Sequence, residues 1–245
     1  MNTQPQHEPE MHAMISEPSL RLVVDKEDLH WSKWDKDSLH TEHVNVVTHG
    51  LGFGAAVGGA VLLCTTAAFN ATLPMFLGCL VYSFGLIGVY LASTLSHCLF
   101  SPKWRSRFRI IDQVSIFVFM AGSFTPFAVG FLMVEHWWLV LPITWGIAAI
   151  GMAMKIFVTK QKMVPVWYYA ITGWFPAISL LRIGGMISTS GLIWILAGGV
   201  SYSVGLYYFM NDHKTNYHHG LWHLCVVSGT VCHYVAILCF VVPAA

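Results

Sequence analysis

Charge is what this chain has least of. Of its 245 residues only 10% are charged while 56% are hydrophobic, against about 25% charged in a typical soluble domain. That deficit excludes an ordinary soluble domain. With a formal net charge of +1, it also excludes the basic surface on which nucleic acid binds. Paired cysteines are lacking as well. The six cysteines, at 64, 79, 98, 225, 232 and 239, fall in or beside apolar runs and show none of the spacings of zinc fingers or secreted disulfide frameworks, so they read as helix-packing residues. The first forty residues contain no short apolar core followed by a cleavage site; a cleaved signal peptide is not expected, and insertion falls to the first spanning helix. The last apolar segment has no lysine to carry a retinal Schiff base, and the nearest, Lys155, sits at the inner end of the fourth. No segment set is amphipathic enough to line a water-filled pore.

What is present is a series of long apolar runs. Seven of them, at 44–68, 74–98, 110–133, 137–158, 164–182, 190–210 and 218–242, each approach the ~20 residues that a membrane-spanning helix needs. The fold class expected is all-α integral membrane, with seven transmembrane helices in a domain covering residues 42–245. The fifth run is interrupted by Pro165 and Pro176. Residues 1–41 are polar and charged and read as a flexible cytoplasmic tail, in which His-Trp-Ser-Lys-Trp at 30–34 is placed at the membrane surface.

Orientation follows from lysine and arginine. With seven spans, Arg21, Lys26, Lys33, Lys36, Lys103, Arg105, Arg107, Arg109, Lys155, Lys160, Lys162 and Lys214 all fall on one side, and Arg182 alone on the other. The N-terminus is therefore expected in the cytoplasm and the C-terminus outside. Removing or adding a span would scatter the basic loops over both faces.

Ionisable residues inside spans are costly and mark sites by default. His97 ends the second segment. Asp112 is expected in the first turn of the third, and His219 and His223 open the seventh, four residues apart on one helix face. All lie at cytoplasmic ends, and Ser93 stands one turn deeper than His97 on the same face. Three neutral imidazoles with a fourth position for water, and a carboxylate to hold that water, suit a catalytic zinc site. Each residue alone has a plainer reading. His97 can be an interfacial anchor, Asp112 a carboxylate favoured by the helix dipole or paired with Arg109, and Ser93 a small packing residue. Their convergence at one depth is what argues for a site. The same clustering on one leaflet argues against a proton relay across the bilayer.

Other polar residues are set apart. His218 points about 100° away from the pair. His233 lies about 15 Å further along the helix, too far for the same ion, and faces a deeper polar cavity or a neighbouring helix. Glu42, Asn45 and His49 form a strip at helical spacing that either supports the site from beside it or caps the first helix. The glycines at 50–59 permit close helix approach, and Pro126 is expected to kink the third helix.

These motifs resemble the progestin and adipoQ receptor family, specifically its bacterial hemolysin III branch, over about residues 42–240. The resemblance rests on Glu42-His-Val-Asn45-Val-Val-Thr48-His49-Gly50, Ser93-Thr-Leu-Ser-His97, Ile111-Asp112-Gln-Val-Ser-Ile-Phe with Ala121-Gly-Ser-Phe-Thr-Pro126-Phe, and His219-Gly-Leu-Trp-His223. It implies a seven-helix fold and a zinc ion bound near the inner leaflet by His97, His219 and His223, with Asp112 at the water and Ser93 beside the site. The wider superfamily includes alkaline ceramidases, which hydrolyse lipid amides. Gln113, where many bacterial relatives have His, and the long tail depart from the pattern.

The function expected is zinc-dependent hydrolysis of a lipid amide or ester, with Asp112 and Ser93 catalytic and membrane lipid as the partner, in a multi-pass protein of a bacterial inner membrane. A non-enzymatic regulator of membrane lipid or energy homeostasis, with structural zinc, is the alternative. A pore-forming cytolysin is less well supported.

Overall fold

A polypeptide in hydrocarbon has no water for its backbone amides, so apolar runs of this length satisfy them internally as helices. A computed structural model of the chain describes residues 36–99, 101–159, 164–215 and 217–244, and every regular element among them is helical. The stretch at 30–34 and most of the tail lie outside the described residues, as do Lys160, Lys162 and Asn216.

Helix α1 (Lys36–Asn70) begins within the polar stretch ahead of the apolar run, so Glu42 is not its cap. Helix α2 (Leu73–Cys98) opens with proline in its first turn, where the missing N–H costs nothing. Helix α3 (Pro102–Phe131) starts the same way, with Ser101 extended as the residue before a proline must be. This moves the start of the third span eight residues ahead of the expected 110. Asp112 therefore lies about 15 Å into the helix, not in its first turn. The basic stretch 103–109 stays helical because long cationic side chains lie along apolar surface, as Arg107 does over the Trp104 ring at 5.0 Å.

The fourth crossing, Trp137–Thr159, consists of a 3-10 turn, helix α4 (Val140–Ala153) and a π-helical end (Met154–Thr159). The fifth is built of pieces: α5 (Val166–Trp174), a 3-10 stretch (Phe175–Ser179) beginning at Pro176, and one further turn (Leu180–Ile183). A 3-10 helix rises about 2.0 Å per residue against 1.5 Å in an α-helix, so residues 166–183 reach about 30 Å, the thickness of the hydrocarbon core. Helix α6 (Thr189–Met210) is capped by Ser188, whose Oγ accepts from the Gly191 N–H at 3.3 Å. Helix α7 (His218–Ala236) runs on through a π-helical segment (Ile237–Val241). Six of these helices are long and apolar enough to cross a membrane as single elements; with the pieced fifth they make seven. The chain is a multi-pass integral membrane protein. Phe69 and Phe84 are 84% and 74% exposed, which only a lipid surround makes acceptable.

The apolar core extends from the middle of the bundle, at Ala56, Leu86 and Phe119, to one end of it. Leu63 and Ala67 come from the C-terminal half of α1, Met75, Cys79 and Tyr82 from the N-terminal half of α2, and Phe127, Ala128 and Phe131 from the end of α3. Ile237 and Val241 follow α7, and together these residues form one cluster. Because successive helices reverse direction, all of these halves lie at the same end of the bundle. A second cluster, of Phe117, Ala121, Ala148, Val164, Tyr168 and Tyr169, joins α3, α4 and α5. The opposite end, where α1, α3 and α7 begin and α2 finishes, holds the buried histidines and cations: His49, His97, Arg105, Lys155 and His223.

Candidate metal centre

The last turn of α2 and the first two turns of α7 bring three imidazoles together. One nitrogen from each of His97, His219 and His223 lies within 4.8 Å of the others, and the ring centroids are 4.7 to 5.3 Å apart. His97 and His223 are buried and His219 is partly exposed, so the cluster opens on one side. His219 and His223 share a face because they are four residues apart on a helix.

What lies behind each ring decides which nitrogen faces inward. His97 Nδ1 is 2.6 Å from Glu42 Oε2, and a carboxylate only accepts, so Nδ1 carries the proton and Nε2 keeps its lone pair. Thr48 Oγ donates to the Val44 carbonyl at 2.8 Å. At its looser 3.5 Å approach to His223 Nδ1, the hydroxyl is therefore the acceptor. His219 Nδ1 lies 3.7 Å from Asp212 Oδ2, beyond hydrogen-bond range. Nε2 is thus the nitrogen left free on His97 and His223, and three imidazoles with nitrogens within 4.8 Å are a donor set that a divalent transition metal takes. The residues fit such an ion.

Asp112 is held beside this group from α2. Ser96 Oγ donates to Asp112 Oδ2 at 3.2 Å, and buried Ser93 places a second hydroxyl at the same carboxylate. Arg109 is not spent on Asp112 alone, since its Nη2 lies 3.8 Å from Glu42 Oε1 across on α1. Sequence assigns no role to Ser96 or Asp212, and Thr48 enters only as part of the motif that carries the family resemblance. Ser96 adjoins His97 and stands three residues from Ser93, which is the only signal that marked it; the contacts of Thr48 and Asp212 are visible only once the helices are packed.

The strip on α1 faces the cluster. Glu42 reaches His97, and His49 lies over His223 with ring centroids 3.7 Å apart. Both His49 nitrogens are buried with no hydrogen-bond partner among the described residues, as is Asn45 Oδ1. His218 turns away, its Nδ1–H donating to the Asn211 carbonyl at 2.6 Å. His233 donates from Nε2 to the Ile195 carbonyl at 3.1 Å, tying α7 to α6 far from the cluster.

A largely apolar cavity of about 220 Å³ lies between α2, α3, the fifth crossing, α6 and α7. Val89, Ile116 and Val226 line it; they stand within one helical turn of Ser93, Asp112 and His223 respectively. His233 and Ile183 line its far part. The side chains of the polar cluster do not line it, so the cavity lies deeper in the bundle than the cluster.

A family model described as haemolysin-III related matches residues 37–234. Among curated proteins, hemolysin-3 of Bacillus cereus is 31% identical over 205 residues, covering 83% of this chain and 93% of that protein. The hemolysin-3 homolog of Bacillus subtilis strain 168 is 29% identical over 209 residues, 84% of this chain and 98% of the relative. The monocyte to macrophage differentiation factor of Homo sapiens is 29% identical over 167 residues, 64% and 67% of the two chains. The matched region includes α1, the whole three-histidine cluster and His233, and on that extent the chain belongs to the haemolysin III-related family.

Proposed function

We propose that this protein is a zinc-dependent intramembrane hydrolase of lipid amides or esters, with its site toward the cytoplasmic leaflet of a bacterial inner membrane. The observation that carries this reading is the meeting of three imidazoles, with nitrogens within 4.8 Å of one another, and a serine-held carboxylate inside a membrane-spanning bundle. His97, His219 and His223 would hold zinc, which would supply a Lewis acid and bring the pKa of a water down to about 7.

The chain's own groups do the rest. The cavity takes the acyl chain and brings its carbonyl to the polar end, excluding bulk water. Asp112, steadied by Ser96 at Oδ2, orients the attacking water and takes its proton. The water oxygen bonds to the acyl carbon, the bond from that carbon to nitrogen or oxygen breaks, and the departing amine or alcohol receives a proton. Ser93 lies at the Asp112 carboxylate, which favours a role in orienting it over one in stabilising the tetrahedral intermediate.

The alternative is a regulator in which zinc only staples α2 to α7, and the origin of all three imidazoles on those two helices supports it. Purified protein in lipid with zinc, offered a panel of ceramides, other N-acyl lipids and phospholipids, separates the two. Fatty acid released by wild type and lost in Asp112→Asn at unchanged zinc content is the hydrolase result. No turnover on any lipid, with a folded and zinc-loaded protein, contradicts it.

A further inference from the structure

Helix α1 contributes no imidazole to the cluster, yet it makes the shortest polar contact in it. We propose that Glu42 is a positioning residue of the metal centre, which holds the His97 ring so that Nε2 meets the ion and strengthens it as a donor. This rests on the metal-centre reading above and not on hydrolysis.

Three observations support it. The Nδ1–H of His97 donates to Glu42 Oε2 at 2.6 Å, at the short end of what a carboxylate acceptor allows. His97 is only 8% exposed, so bulk water has little access to its ring. The other Glu42 oxygen, Oε1, lies 3.8 Å from Arg109 Nη2, which keeps the carboxylate from rotating away. Three helices are thereby linked in series, Arg109 on α3 to Glu42 on α1 to His97 on α2. A carboxylate behind a ligating imidazole fixes its tautomer and raises its basicity, and losing such a partner typically weakens metal binding 10- to 100-fold.

A plain structural staple would make the same contacts, so the test reads the metal. Full-length wild type, Glu42→Gln and Glu42→Ala are stripped of metal in detergent and titrated with zinc against a chromophoric chelator. Cobalt(II) is added to parallel samples for its visible spectrum. Glutamine keeps an acceptor oxygen without the charge and preserves the fold if alanine does not. The assignment requires zinc affinity to fall 10- to 100-fold in Glu42→Ala and by less in Glu42→Gln, with the cobalt bands displaced in both. Unchanged affinity and spectrum in both variants overturns it, as does a lower thermal stability of the metal-free protein with cobalt bands like those of wild type. Wild type that binds neither metal overturns the centre itself, whereas a zinc-tight but catalytically silent wild type leaves this assignment standing and removes the hydrolase.

Discussion

The imidazole of His49 lies over that of His223, with ring centroids 3.7 Å apart and planes inclined by 34°. Neither His49 nitrogen has a hydrogen-bond partner among the described residues, so the ring's packing and its polarity can be separated by substitution. His49→Phe keeps the packed ring and removes two buried polar atoms, which is neutral or stabilising when no partner is left behind. Its melting temperature should equal or exceed that of wild type, and zinc binding should persist. His49→Ala should lose about 2 kcal/mol or more through the space left behind. Thermal unfolding in one detergent compares the three proteins. A sharp loss of zinc in His49→Phe would show that a nitrogen of this ring serves the ion.

Thr230 joins three helices through hydroxyls. Tyr90 from α2 donates to its Oγ at 3.0 Å and Tyr202 from α6 lies 3.1 Å away, while Thr230 donates to the Val226 carbonyl at 2.8 Å. Thr230→Val leaves both phenols without this partner, at about 1–3 kcal/mol each. Tyr90→Phe should cost less than Thr230→Val. The Thr230→Val and Tyr90→Phe pair should be strongly non-additive in a double-mutant cycle, and additive losses would mean that the hydroxyls act independently.

Helix α6 approaches α7 where Gly198 faces His233, and a methyl group at 198 would meet the His233 ring and the Gly229 carbonyl. Gly198→Ala should destabilise the protein by about 1–3 kcal/mol through overpacking. It should do so without altering zinc stoichiometry, because His233 bonds the Ile195 carbonyl and not the cluster. Unfolding temperature together with metal content checks both halves of this expectation.

The three-histidine cluster was legible because it depends on quantities that sequence carries directly. Four-residue spacing sets His219 and His223 on one face, and the one-sided placement of lysine and arginine sets the α2 end and the α7 start at one membrane depth. Seven helices followed from run length, and the weakness of the fifth from Pro176, which now begins its 3-10 stretch. The start of α3 was misjudged because Lys103, Arg105, Arg107 and Arg109 resemble a loop in composition, whereas Pro102 nucleates a helix through them. With Asp112 about three turns inside α3, the dipole reading of that carboxylate loses its basis, since the dipole effect fades beyond the first turn. The strip holding Glu42 was legible as flanking the site, but its pairing with His97, like the contacts of Thr48, Ser96 and Asp212, depends on which helix faces meet, and one sequence contains no term for that.

Ser96 gives the most specific prediction about chemistry. Its hydroxyl is shared between the Ser93 carbonyl at 2.9 Å and Asp112 Oδ2 at 3.2 Å. If Asp112 handles the attacking water, Ser96→Ala should lower kcat about 10-fold, the value of one hydrogen bond to a charged group, while zinc content stays at the wild-type level. A Ser96→Ala protein as active as wild type would mean that Ser93 alone holds the carboxylate.

The central claim is that His97, His219 and His223 form one metal site, and metal content tests it most directly. Full-length protein purified without chelator should contain about one zinc per chain, the stoichiometry of a single three-histidine centre. His97→Ala, His219→Ala and His223→Ala should each fall well below that while remaining folded by circular dichroism. Wild type with no bound transition metal, or three alanine variants that retain it in full, would contradict the claim.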